Sequence, residues 1–411
     1  MTTAAGSNSL AAKKSGNRYT VLILGSIMQL FLGILYVWSI FVEPVHNEFN
    51  WHVDSVKLTA SFMLCFFVIG IIVGGKLVLK IGSQKVVLGG GLCLALGMLS
   101  TSLLPSNVPW IMYITYGIIG GFGVGSAYNA IIVAAQKWFP QKRGLATGIV
   151  VCSFGLSTVV FAPLINILIA RFDVRNTFLI LGGIFFAATI AFFRFIRLPD
   201  DIAASSSANT AVTALLAKKQ YLISETIKTK QYYFIAVSLA FATAPFFILN
   251  PSFISYAAAR GVPEFGTVIV MLTGVANACG RLAVPLLSDK IGRERAALIV
   301  ILAISICAAV LTFARGGVFI AAVLATSFCF GGLPGLYAVL ASDYFGIKNA
   351  GANYGAIMMG FAFSALVFPV LIGFIQSSSV KFITLSVMAA FGIVLIVLLL
   401  LSKKKFEEAN A

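Results

Sequence analysis

Twelve stretches of about 20 or more mainly apolar residues run through this chain of 411 residues. A helix needs about 20 such residues to cross the hydrocarbon of a bilayer. The stretches fall at about 20–42, 58–79, 86–104, 109–136, 144–168, 177–196, 232–256, 266–288, 296–314, 317–341, 351–375 and 382–402. They are continuously apolar rather than short and alternating, which points to helices and not to a barrel. Composition agrees: 60 % of residues are hydrophobic and 10 % charged, against about 45–50 % and 25 % in soluble domains. The expectation is an all-α polytopic membrane protein with twelve transmembrane helices.

The formal charge of +16 would suggest nucleic acid in a soluble chain. Here the basic residues mark the loops of one membrane side. Of the 29 Lys and Arg, Lys57, Arg171, Arg175, Arg260, Arg315 and Lys381 fall in segments of one side, and Arg281 falls inside a span. The other 22 fall on the side of the termini, which places both termini in the cytoplasm of a cell (inner) membrane. The expected organisation is a cytoplasmic tail over 1–19, a six-helix bundle over 20–196, a cytoplasmic central loop over 197–231, a second six-helix bundle over 232–402 and a cytoplasmic tail over 403–411. Within the central loop, residues 213–230 have the composition of a surface helix. The polar residues 1–17 precede a run long enough to span, which argues against a cleaved signal peptide. All six cysteines lie in apolar runs without CxxC spacing, so they read as packing residues and neither a disulfide framework nor a metal site is expected.

The two halves echo each other. The stretch Gly75-Lys-Leu-Val-Leu-Lys-Ile-Gly82 between spans two and three returns 210 residues later as Pro285-Leu-Leu-Ser-Asp-Lys-Ile-Gly-Arg293 between spans eight and nine. The stretch Lys137-Trp-Phe-Pro-Gln-Lys-Arg-Gly144 after span four is echoed by Asp343-Tyr-Phe-Gly-Ile-Lys-Asn-Ala350 after span ten. Two such repeats suit a transporter whose site lies between them near the midplane.

These motifs resemble those of the major facilitator superfamily (MFS), and the resemblance runs over essentially all twelve spans. The loop signature Gly-x-Leu-x-Asp-(Arg/Lys)-x-Gly-Arg keeps Asp289, Lys290, Gly292 and Arg293 in the second half, while Leu79 and Ser83 replace its acid and arginine in the first. Lys137-Trp-Phe-Pro-Gln-Lys-Arg-Gly-Leu-Ala-Thr-Gly148 and Tyr36-Val-Trp-Ser39 resemble the oxalate–formate antiporter and monocarboxylate transporter branch. The resemblance implies two six-helix pseudo-repeats that rock about a central site, with Asp289, Lys290, Arg293, Lys142 and Arg143 in gate or loop motifs.

One charge stands inside the hydrocarbon. The 13 Asp and Glu all fall at span ends or in loops, as do His46 and His52, whereas Arg281 lies about midway along span eight. A central arginine costs about 2.5–3.5 kcal/mol on insertion scales, so it must face the bundle interior or a wet cavity. A structural role would require backbone carbonyls or polar side chains to absorb its five donors. The functional reading makes the substrate its counter-ion, and a carboxylate fits the planar fork. Asn277, four residues earlier, shares the helix face and is a candidate to orient the guanidinium or bind a substrate oxygen.

Tyr128 and Tyr337 sit in Gly-rich segments at comparable repeat positions. The glycines read as helix-packing residues, and the tyrosines as hydroxyl donors to a carboxylate or as core packing. By the family resemblance Tyr128 and Tyr36 line the cavity. The same resemblance implies that the oxalate exchangers carry a lysine in span eleven where Phe361 stands here. One positive charge then favours a small monocarboxylate such as lactate, pyruvate or formate over a dicarboxylate, with Phe361 as an apolar wall. Proton symport and exchange for a counter-anion both stay open, as does a carboxylate sensor that does not transport. No catalytic His, Ser or Cys set and no cofactor motif appears, so an enzyme is not expected. The expected partners are the carboxylate, H+ or a counter-anion, and the lipid bilayer.

Overall fold

The computed structural model describes residues 17–199, 219–250 and 253–408, and among these the regular structure is helical without strands. Ten helices there are long and apolar enough to cross a membrane. The first span, Arg18–Phe49, is interrupted by a tighter 3-10 stretch at Gly33–Val37. Spans two, three and four are Val53–Ile81, Ser83–Ser102 and Pro109–Trp138. The helix Arg143–Phe192 carries spans five and six, because Asp173 adopts φ 67° and breaks it. The Asp173 carboxylate accepts from the Asn176 backbone N–H at 2.8 Å and from its Nδ2 at 2.9 Å, which caps the restarted helix.

Lys230–Leu249 forms span seven, and Gly266–Ile291, 26 residues long, forms span eight. Spans nine to twelve are Arg293–Leu311, Gly316–Phe345, Ala350–Gly373 and Ser378–Glu408. The surface helix expected over 213–230 is not found. Residues 213–218 lie outside the described segments, and the rest holds only the single turn Ile223–Thr226 before span seven begins. Four residues are too few to nucleate a stable helix on their own.

The internal repeat is visible in the backbone. Gly82 and Gly292 both have positive φ, at 83° and 92°, and each joins two spans with no further linker. Such a φ is costly for any residue with a Cβ. The glycines near Tyr128 and Tyr337 let helices touch: a Cβ on Gly125 would overlap the Phe67 carbonyl, and one on Gly331 the Asn277 carbonyl. Large apolar side chains such as Met271, Phe313, Val370 and Leu401 point outward, an arrangement that hydrocarbon rather than water makes favourable. Of the six free cysteines, Cys279 is exposed instead of packed.

The first and last six spans meet mainly along two seams, span five against span eight and span two against span eleven. The close approaches on these seams run from the depth of Arg281 to the end of the bundle that carries the termini. Gly148 faces Leu282, Gly144 faces Pro285, and Gly75 faces Gly351.

Candidate functional site

Arg281 is 2 % exposed and sits where the two halves meet. Asn277 is one turn away on the same face, and Arg281 Nε donates to Asn277 Oδ1 at 2.7 Å. From the other half, Tyr36 Oη accepts from Arg281 Nη2 at 3.2 Å. The guanidinium carbon lies 5.3 Å from the Tyr36 ring centroid and 5.9 Å from that of Phe154, within cation–π range. All of these partners are neutral. Among the described residues, no carboxylate pairs with Arg281.

The local backbone explains the pose. The 3-10 stretch Gly33–Val37 turns Tyr36 toward span eight and leaves its side chain 37 % exposed beside a buried arginine. On span five, Gly155 provides the seat: a Cβ there would lie 2.7 Å from Arg281 Cδ and 2.8 Å from Nε. Phe154, the preceding residue, packs edge-on to Tyr36 at 5.5 Å and to Tyr128 at 4.8 Å between ring centroids. Phe67 completes the aromatic wall, 5.3 Å from Tyr128. Gln29 Nε2 donates to the Tyr128 carbonyl at 3.1 Å and holds span four against span one.

Arg281, Asn277, Tyr36 and Tyr128 therefore form one group. Tyr337 and Phe361 make their contacts elsewhere in the second half. The Tyr337 hydroxyl lies 2.8 Å from Ser238 Oγ, fully enclosed. Phe361 packs against Phe247 and Phe330, with ring centroids 5.0 and 6.0 Å away. Trp38 is structural: its Nε1 donates to the Val56 carbonyl at 3.0 Å and its ring stacks on Tyr116 at 4.8 Å.

Residues of the loop motifs close the termini end. Asp289 accepts from the backbone N–H of Gly144 at 3.1 Å and of Leu145 at 2.9 Å, so a side chain of span eight caps span five. Such a carboxylate satisfies free N–H groups and complements the helix dipole. Arg293 pairs with Asp289 at 2.6 Å and with Asp343 at 3.1 Å, and Asp343 also binds Arg143 across the two halves. Further polar bonds support this seal. Ser342 Oγ donates to Gln136 Oε1 at 2.7 Å, and Asn129 Nδ2 donates to the Gly351 carbonyl at 2.7 Å. Lys142 and Lys290 point to the surface and take no part.

Gly155, Phe154 and Tyr354 went unnoticed in the sequence. Gly155 and Phe154 lie in an apolar run where nothing distinguishes them from packing residues. Tyr354 is buried with its hydroxyl beside that of Tyr128, and its only signal was a phenol among small residues.

An all-helical membrane bundle of two repeats, with a cation at their junction and a charged seal at one end, defines a multi-pass transporter. The chain belongs to the Major Facilitator Superfamily, whose sequence profile matches residues 21–369. It is 28 % identical over 355 residues to the uncharacterized MFS-type transporter YhjX of Escherichia coli, covering 85 % of this chain and 86 % of that protein. It is 27 % identical over 348 residues to the oxalate:formate antiporter of Oxalobacter formigenes, covering 83 % and 80 %. With rat monocarboxylate transporter 13 it shares 27 % identity over 206 residues, covering 49 % and 47 %. A crystal structure of the MFS transporter FucP in the outward conformation superposes with a TM-score of 0.68 at 14 % identity, covering 92 % of this chain and 97 % of that one.

Proposed function

We propose that this transporter carries a small monocarboxylate anion by alternating access, with Arg281 as the counter-ion of its cargo. The observation that carries the reading is the guanidinium itself: buried between the halves, positioned by Asn277, Tyr36 and Gly155, and contacted only by neutral groups. An uncompensated buried charge is expensive, and a carboxylate is the anion whose geometry matches its fork. Because partners of Arg281 come from spans one and five as well as eight, anion binding bears on both rocking halves. The lysine and arginine distribution supports cytoplasmic termini, and on that reading the sealed end is the cytoplasmic one.

The relation to the oxalate:formate antiporter favours a second reading, exchange of a dicarboxylate for a monocarboxylate. The surroundings of Arg281 speak against it, since Asn277, Tyr36 and Phe154 offer no second positive charge. Reconstituted vesicles test both readings. Labelled lactate, pyruvate, formate and oxalate are offered with and without internal anion and with and without a pH gradient. Monocarboxylate uptake that Arg281→Ala abolishes while the protein stays folded is the expected result. Unchanged uptake in that variant rejects the counter-ion, and oxalate uptake exceeding every monocarboxylate establishes the second reading. Binding without uptake identifies a sensor.

A further inference from the structure

A cavity of about 430 Å³ lies at the end that carries the termini, between span two and the start of span eleven. Span two lines it with Lys76, Leu77, Leu79 and Lys80, and the second half with Leu222 and Asn349. Leu222 is held to the second half by its neighbour: the Tyr221 N–H donates to the Phe345 carbonyl at 3.0 Å, and Asn349 Nδ2 donates to the Tyr221 carbonyl at 2.7 Å. The cavity borders a close contact of this seam, where a Cβ on Gly75 would overlap the Gly351 carbonyl carbon. Its walls must separate when the two halves part there.

Negative charge is missing from this cavity. Lys76 and Lys80, one helical turn apart, make no ion pair among the described residues. The Glu225 carboxylate, three residues beyond Leu222, turns back to accept from the Leu222 N–H at 2.7 Å. The internal repeat shows what has been lost. In the second half Asp289 caps span five and pairs with Arg293. Its counterpart 210 residues earlier is Leu79, and span eleven, whose first turn lines the same cavity, starts at Asn349 without a side-chain cap. We propose that the cavity binds the phosphodiester headgroup of an anionic phospholipid, with Lys76 and Lys80 as its counter-charges. Lysine serves phosphate as a point charge, and basic pockets between spans at the cytoplasmic face suit anionic headgroups. The rim favours a lipid over a free anion: Leu79 and Leu222 are 43 % and 57 % exposed, a margin that acyl chains rather than water suit. Because the walls belong to opposite halves, a bound lipid holds the termini end closed. The inference stands apart from what Arg281 carries.

Native mass spectrometry of the full chain in detergent reads the retained lipid when phosphatidylglycerol and phosphatidylcholine are offered at equal concentration. The wild type is expected to retain phosphatidylglycerol over phosphatidylcholine about tenfold or more, the work of two lysines on one net negative charge. Lys76→Gln combined with Lys80→Gln should bring that ratio to within about twofold of unity. Lys85→Gln combined with Lys290→Gln removes as much charge from exposed positions outside the cavity and should leave the ratio unchanged. Leu79→Asp restores the carboxylate of the repeat and should lower phosphatidylglycerol retention about tenfold, whereas Leu79→Asn should change it less than about twofold. Equal retention of the two lipids by the wild type overturns the site, as does an equal fall in both double variants. Displacement of phosphatidylglycerol by excess inorganic phosphate overturns the lipid in favour of a soluble anion. Spin labels at positions 141 and 348 then test the consequence in vesicles. Phosphatidylglycerol should shift the distances across the termini end to shorter values than phosphatidylcholine does, and distributions that ignore the lipid overturn its hold on the closed end.

Discussion

Arg281 rests on the bare backbone of Gly155, where a Cβ would come within 2.7 Å of its Cδ and 2.8 Å of its Nε. The seat lies on span five and the arginine on span eight, so the pose of the cation depends on both halves. Gly155→Ala is expected to push the guanidinium off its line to Asn277 and Tyr36. Displacements of about 1 Å at a binding group cost as much as a hundredfold, so KM for the anion should rise about tenfold or more. Uptake kinetics check this. A KM equal to that of the wild type would show that the arginine does not need its seat.

The neutrality of Asn277 leaves the arginine its charge. Asn277→Asp keeps the size of the side chain and places a carboxylate where Oδ1 now accepts from Arg281 Nε at 2.7 Å. An ionised partner there occupies the fork and cancels the charge that the cargo needs. Anion uptake near neutral pH should fall about tenfold or more, while the expressed, folded amount stays near that of the wild type. Isothermal titration of the purified variant with lactate measures the loss directly, and full affinity in Asn277→Asp rejects the requirement for a free charge.

Asp343 ties Arg143 of the first half and Arg293 of the second into one seal. Asp343→Asn removes the charge that both guanidinia share and should favour opening at the termini end. Spin labels at the exposed positions 141 and 348 report the distance across this end. The expected result is a shift of the distribution to longer distances, with the open population rising about tenfold for a change of ~1.4 kcal/mol. Lys290→Ala serves as the control, since Lys290 points to the surface; an equal shift there would remove the argument for the seal.

Trp38 lies only two residues from Tyr36 but holds the fold instead of the cargo. Its indole donates to Val56 and stacks on Tyr116. Trp38→Ala should lower stability by about 3–5 kcal/mol, read as a marked drop in the thermal unfolding midpoint in detergent. The fraction that remains folded should bind anion with the affinity of the wild type. A specific loss of affinity without loss of stability would place Trp38 in the site.

Much of the fold was legible in the residue order. Spans are set by the length of apolar runs against the thickness of hydrocarbon, a one-dimensional criterion that needs no knowledge of neighbours. The repeat was legible because Gly82 and Gly292 recur in matching motifs, and the structure shows that both occupy the same positive-φ backbone region. The expected helix over 213–230 misled because its composition suited a helix while the described part yields only one turn. Arg281 stood out because a lone charge within a span needs no partner to be noticed.

What the residue order could not supply is which side chains meet. Arg281 finds Tyr36, Gly155 and Asn277 on three spans, two of them more than 120 residues away in the chain. The same holds for Tyr337: its glycine-rich setting matches that of Tyr128, yet its hydroxyl turns to Ser238 within the second half. The sequence alone thus determined a membrane bundle of two repeats with one cation midway along a span, since those follow from composition along the chain. The neighbours of that cation, and the charges that close one end, were decided by the packing of distant helices against small residues, which only the tertiary structure specifies.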